Sequence, residues 1–108
     1  MLKKRYIRRS NSWKVTFELP ELELPRGLEV KSVHLVGDSN RWDRRATPMK
    51  SDNDGTFRTT LELEPGQWYE FRYLVNGELW FNEWHADAYV PDGQGGDNCV
   101  VVTRSETA

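Results

Sequence analysis

Apolar and polar residues alternate in short runs along this chain, and Gly, Pro, Asn or Asp closes each run after about ten positions. A period of two suits extended strands with one buried face, because a helix would scatter such residues around its axis. In the first run Trp13, Val15, Phe17 and Leu19 share one face, Lys14, Thr16 and Glu18 the other, and Pro20 ends the strand. Val33 and Leu35 repeat the pattern before the loop Gly37-Asp38-Ser39-Asn40-Arg41-Trp42. Asp52-Asn53-Asp54-Gly55 is a turn ahead of a strand that puts Phe57, Thr59, Leu61 and Leu63 on one face. Pro65-Gly66 turns the chain again, residues 82–96 are loop-like, and a closing strand is predicted over Asn98 to Thr103. Strong helix signals are missing, so the pattern predicts an all-β sandwich.

The run from Trp68 to Val75 allows its register with the next strand to be argued. A two-residue Asn76-Gly77 turn would set Tyr73 opposite Trp80 and Arg72 opposite Phe81, mixing apolar and polar faces. A three-residue loop with Gly77 left-handed is expected instead to pair Tyr73 with Leu79, Phe71 with Phe81 and Arg72 with Trp80. Phe71, Tyr73, Leu79 and Phe81 are then expected in the core, and Arg72 beside Trp80 on the outer face, since a slip of one residue reverses every side chain.

Composition bounds the rest. The 108 residues make one domain, expected to comprise a basic segment over 1–12, an ordered core over about 13–103 and a tail over 104–108. Net charge is -2, which argues against nucleic acid and anionic membranes as partners. Lys3, Lys4, Arg5, Arg8 and Arg9 are read as the solvated start of the first strand rather than as a nucleic-acid arm. The single cysteine, Cys99, excludes an internal disulfide, and with no signal segment or membrane-length apolar run the protein is expected to be cytoplasmic.

No catalytic constellation stands out. Seventeen acidic residues ensure that some pair satisfies the two-carboxylate requirement of glycoside hydrolysis numerically, and no nucleophile motif accompanies them, so the chain is not expected to be an enzyme. His34 lies in a strand, and Glu83, His85 and Asp87 lack ligand spacing, so neither metal nor other cofactor is expected.

Three segments, Val33 to Trp42, Tyr69 to Trp80 and Gly95 to Val101, resemble the isoamylase N-terminal, or family 48, carbohydrate-binding module. That family includes the glycogen-binding domain of the AMP-activated protein kinase β subunit and the early-set domains of glycogen branching and debranching enzymes. The resemblance runs from about Val15 to Val102. Lys4-Arg5-Tyr6 and Val15-Thr16-Phe17-Glu18-Leu19-Pro20 are similar to the start of small free-standing bacterial members, which implies a complete chain. It also implies an immunoglobulin-like, early-set sandwich that binds α-1,4-glucan (glycogen, starch or maltooligosaccharide) without catalysis, with a glycogen-metabolising enzyme or kinase as protein partner.

Carried over by position, the resemblance puts the stacking tryptophan of the family's G-x-F-N-x-W loop on Trp42, the basic strand residue on Arg72 and the tryptophan after the turn on Trp80. The polar residue near the last strand falls on Asp97 or Asn98. These types suit a pyranose, whose apolar C–H face stacks on an indole while its hydroxyl rim meets donors and acceptors. Trp68, on the Arg72 face, either extends this platform or covers a neighbouring strand, and Trp84 is a second additional candidate; Trp13 is read as core. Arg72 also has a purely structural alternative, a surface pair with Glu70 or Glu78. Ser39 stands where the family has phenylalanine, removing an apolar anchor from the Trp42 loop. That departure favours the alternative function, a docking module of the same fold that has lost glucan binding.

Overall fold

A computed structural model describes residues 1–105. Among them the chain forms an all-β sandwich of two antiparallel sheets. One sheet has the order β1-β2-β5-β4, with β1 over Leu2–Ile7, β2 over Ser12–Pro20, β4 over Lys50–Ser51 and β5 over Thr56–Leu63. The other has the order β3-β6-β9-β8, with β3 over Val33–Gly37, β6 over Gln67–Val75, β8 over Ala88–Pro91 and β9 over Asp97–Thr103. A short β7, Leu79–Phe81, pairs with β6.

The inward-facing residues of each run meet between the sheets. Val15, Phe17 and Leu19 from β2 and Leu63 from β5 face Val33, Leu35, Phe71, Tyr73, Val75, Cys99 and Val101, all buried. Phe17 meets Phe71 edge-on, with ring centroids 5.1 Å apart, the geometry that aromatic quadrupoles favour. Trp13 packs at the margin of this core as expected, and its indole Nε1–H donates to the Arg104 carbonyl at 2.9 Å. Arg104 is thereby tied down, whereas residues 106–108 of the expected tail lie outside the described residues.

Two features extend beyond the alternation. The basic N-terminus is a strand in its own right: β1 pairs with β2 from Leu2↔Phe17 to Ile7↔Ser12, so regular pairing starts well before residue 13. Glu18, on the outward face of β2, is nonetheless buried, because the Arg58 Nε–H donates to its Oε2 at 2.6 Å and Lys3 lies 3.5 Å away. Burial pushes the Glu18 carboxyl up, but the Arg58 hydrogen bond and the two cationic neighbours outweigh it and hold the group below its usual range.

The hairpin between β6 and β7 has the expected three-residue loop but a different register. Val75 pairs with Leu79, Leu74 with Trp80 and Tyr73 with Phe81, a shift of two residues from the expected pairing. Asn76 and Gly77 are both left-handed, and the Glu78 N–H closes the turn on the Val75 carbonyl at 3.1 Å. Asn76 holds the bend there: its Oδ1 accepts from the Lys31 and Ser32 amides, and its Nδ2 donates to the Glu29 carbonyl. A shift of two keeps each residue on its face, so Phe81 still packs on the core. Leu79 does not. It is 38% exposed, at the tip of a three-residue strand whose one neighbour is β6.

Candidate functional site

The site begins with a break in one sheet edge. Phe71 pairs with Gly37 on one side and Cys99 on the other, while Tyr73 pairs with Leu35 and with Phe81. Strands β9 and β7 therefore occupy the same edge of β6, end to end, and Arg72 stands at the gap between them. The chain leaves this edge after Phe81, makes an excursion through β8 and returns at Asp97.

Both ends of the excursion are fastened. At its start Glu83, 1% exposed, accepts from the Tyr73 hydroxyl at 2.8 Å and the His85 amide at 2.8 Å, and it pairs with the Met1 ammonium. The Glu83 amide in turn donates to the Cys99 sulfur at 3.1 Å. At its end Asp92 accepts at Oδ1 from the Gln94 and Gly96 amides, at 2.7 and 3.0 Å, and pairs through Oδ2 with the Arg72 guanidinium at 2.5 Å. The Gln94 and Gly96 hydrogen bonds, followed by Arg72, hold the Asp92 carboxyl below its usual range.

Arg72, Trp80, Phe81, Asn82, Gly96 and Asp97 line an open cleft of about 250 Å³ at this gap. Trp80 is 37% exposed and presents a flat apolar surface. Leu74, not Arg72, lies opposite Trp80, so the arginine and the ring are diagonal neighbours on one face, a spacing within the span of long side chains. Asp97 is exposed at the start of β9. The Arg72 Nε–H is buried without a partner among the described residues.

The Trp42 loop approaches from the other side of β6. Gly37 must be glycine: a Cβ there would sit 2.3 Å from the Glu70 carbonyl oxygen. Asn40 braces the loop by accepting from the Gly37 amide and donating to the Leu35 carbonyl and the Thr47 hydroxyl. Asp38 ties it to β6, with Oδ2 accepting from the Glu70 amide at 2.8 Å and Oδ1 from the Trp42 indole N–H at 2.9 Å. Arg41 and Trp42 are both left-handed, each with φ of 59°, a costly backbone for bulky residues. Ser39 is exposed, so residue 39 is not what holds this loop. Arg44, two residues beyond Trp42, places its guanidinium carbon 5.4 Å from the centroid of the Trp80 ring.

The sequence candidates thus separate. Arg72, Trp80 and Asp97 share the cleft. Asn98 is adjacent but its Nδ2 donates to Glu70 Oε1 at 3.0 Å. Trp42 is 36% exposed on its own loop and does not line the cleft. Trp68, 52% exposed, lies farther along β6 opposite Val102, and Trp84, 61% exposed, lies on the excursion; neither lines the cleft. The partner of Arg72 is Asp92, not Glu70 or Glu78. Asp92 falls within the loop-like stretch over 82–96, but nothing in the sequence signals its reach to Arg72. Phe81, Asn82 and Arg44 were also missed, since their roles depend on where the edge breaks and on how the Trp42 loop folds over.

A β-sandwich that gathers an exposed indole, an arginine fork and a carboxylate around one open cleft offers the mix of flat apolar surface and convergent polar groups that small-ligand sites use. Residues 26–107 match the family model described as the glycogen recognition site of AMP-activated protein kinase. This chain belongs to that family, whose members bind carbohydrate and are typically non-catalytic. No curated protein matches it significantly.

Proposed function

We propose that the chain binds α-1,4-glucan non-catalytically, stacking a glucose ring on Trp80 while Arg72 and Asp97 meet the hydroxyl rim, with Trp42 as a second stacking surface. The observation that carries this reading is the convergence of Arg72, Trp80 and Asp97 on one cleft. The fixing of Arg72 by Asp92 supports it further, because a pre-positioned fork loses little freedom on binding. The anchoring of the Trp42 loop by Asp38 and Asn40 supports retention of glucan binding despite Ser39, against the docking-only alternative.

A stacked sugar buries about 50–100 Å², or roughly 1–3 kcal/mol at about 25 cal/mol/Å². With the entropy of association subtracted, the expected Kd is about 0.01–1 mM. Titration of the labelled protein with maltoheptaose is expected to shift the amides and side-chain signals of Arg72, Trp80, Asp97 and Trp42, whereas a β-1,4 oligosaccharide is expected to shift them much less. Trp80→Ala should abolish retention on glycogen while leaving the unfolding midpoint close to that of the parent. Equal retention by that variant, or no shifts at several millimolar maltoheptaose, overturns the reading.

A further inference from the structure

We propose that the free edge of β1 docks an acidic, extended segment of a partner protein by strand addition, at a surface separate from the Trp80 cleft and not dependent on glucan binding. The first fourteen residues hold Lys3, Lys4, Arg5, Arg8, Arg9 and Lys14 and no acidic side chain, leaving nine basic against seventeen acidic residues in the remainder. The fold turns this asymmetry into a surface. Strand β1 ends its sheet, so among the described residues one row of its backbone N–H and C=O groups has no strand to pair with. Arg5, Arg8, Arg9 and Lys14, with Tyr6, Ile7 and Ser10, line a concave surface of about 710 Å³ along the hairpin.

Lys3 and Lys4 are occupied by Glu18 and Asp87, but Arg5, Arg8, Arg9 and Lys14 have no carboxylate within salt-bridge distance among the described residues. Arg5 lies directly opposite Lys14, a like-charge pair that destabilises the hairpin. Lys14 faces Glu62 of β5 on its other side, so the repulsion is concentrated on Arg5, Arg8 and Arg9, and incoming carboxylates would relieve it. The same charge excludes a second copy of β1 as the occupant. Nucleic acid fits less well, because the patch is one hairpin long and the rest of the chain is net acidic. A peptide backbone also satisfies the open edge, which a phosphodiester chain cannot. The hairpin lies ahead of the stretch matched by the family model, which starts at residue 26.

The test uses the whole chain and a synthetic peptide of alternating Glu and Thr, about eight residues long to match a strand. Amide shifts are expected to be confined to residues 2–14, with slowed hydrogen exchange in β1 and affinity at least about tenfold lower at high than at low salt. The turn variant Arg8→Ser/Arg9→Ser, which leaves the strands untouched, is expected to weaken the peptide at least threefold without changing retention on glycogen; Arg5→Glu should weaken it further. No shift at several millimolar peptide, or equal binding of a Lys-Thr peptide, overturns the proposal. So do shifts that leave β1 exchange unchanged, and tighter binding of oligothymidylate or of anionic phosphatidylserine vesicles at the same residues.

Discussion

At the scale of single residues, the site is governed by what touches each aromatic ring. Trp80 is the indole inside the cleft, and its exposure is limited by Arg44, whose guanidinium sits over the ring. A cation–π contact at an exposed position contributes about 0.5–1 kcal/mol. A sugar that takes that face must displace it, so Arg44→Ala is expected to strengthen maltoheptaose binding by about two- to fivefold in calorimetric titration; weaker binding would show that Arg44 grips the sugar instead. The indole environment is a second measure: the variant should show a changed Trp emission before sugar is added and a larger change on saturation.

At the scale of elements, the contact between β3 and β6 determines where the Trp42 loop leaves the sheet. Gly37 packs against the β6 backbone so closely that a methyl group would strike the Glu70 carbonyl and the Phe71 Cα. Neither is a flexible side chain that can swing aside. Gly37→Ala is therefore expected to destabilise the domain by at least the roughly 1–3 kcal/mol typical of overpacking, read as a lower urea midpoint, and to weaken glucan binding because Asp38 loses the Glu70 amide. The β6–β7 hairpin shows how far an element can be read in advance. Alternation assigned the faces of Arg72 and Trp80 correctly, since a shift of two preserves parity. It could not assign the partner residue, which depends on Asn76 bonding to Lys31, Ser32 and Glu29, some forty-five positions away in sequence.

For the whole molecule, the carboxylates that bind the elements together set the response to acid. The Ser12 and Ser10 hydroxyls hold Glu62 below its usual range, as Arg58 holds Glu18 and Asp54 and the loop amides hold Asp92. A carboxyl with a lower pKa folded than unfolded contributes stability that is complete above the unfolded value and lost as pH falls through the folded one. Glu23, pushed up by burial, acts in the opposite sense, one group against these four. The thermal midpoint is therefore expected to hold near neutrality and to fall progressively below about pH 4, the unfolded carboxylate range. Cys99 offers an independent reporter. Burial pushes its thiol up to about 11, so the native protein should resist alkylation at neutral pH and react only when the sandwich opens.

Alternation and turn chemistry by themselves determined the all-β class, the two core faces and the outward placement of Arg72 and Trp80, because a period of two is a local property of the chain. The resemblance carried by Val33 to Trp42 and Tyr69 to Trp80 pointed to the family. What only the tertiary structure decided is how the outward residues assemble. Arg72 and Trp80 meet Asp97 because β7 and β9 share one edge of β6 and leave a gap, while Trp42, Trp68 and Trp84, chemically just as suitable, stand elsewhere. Edge sharing follows from contacts between distant segments, and neither residue type nor spacing encodes it locally.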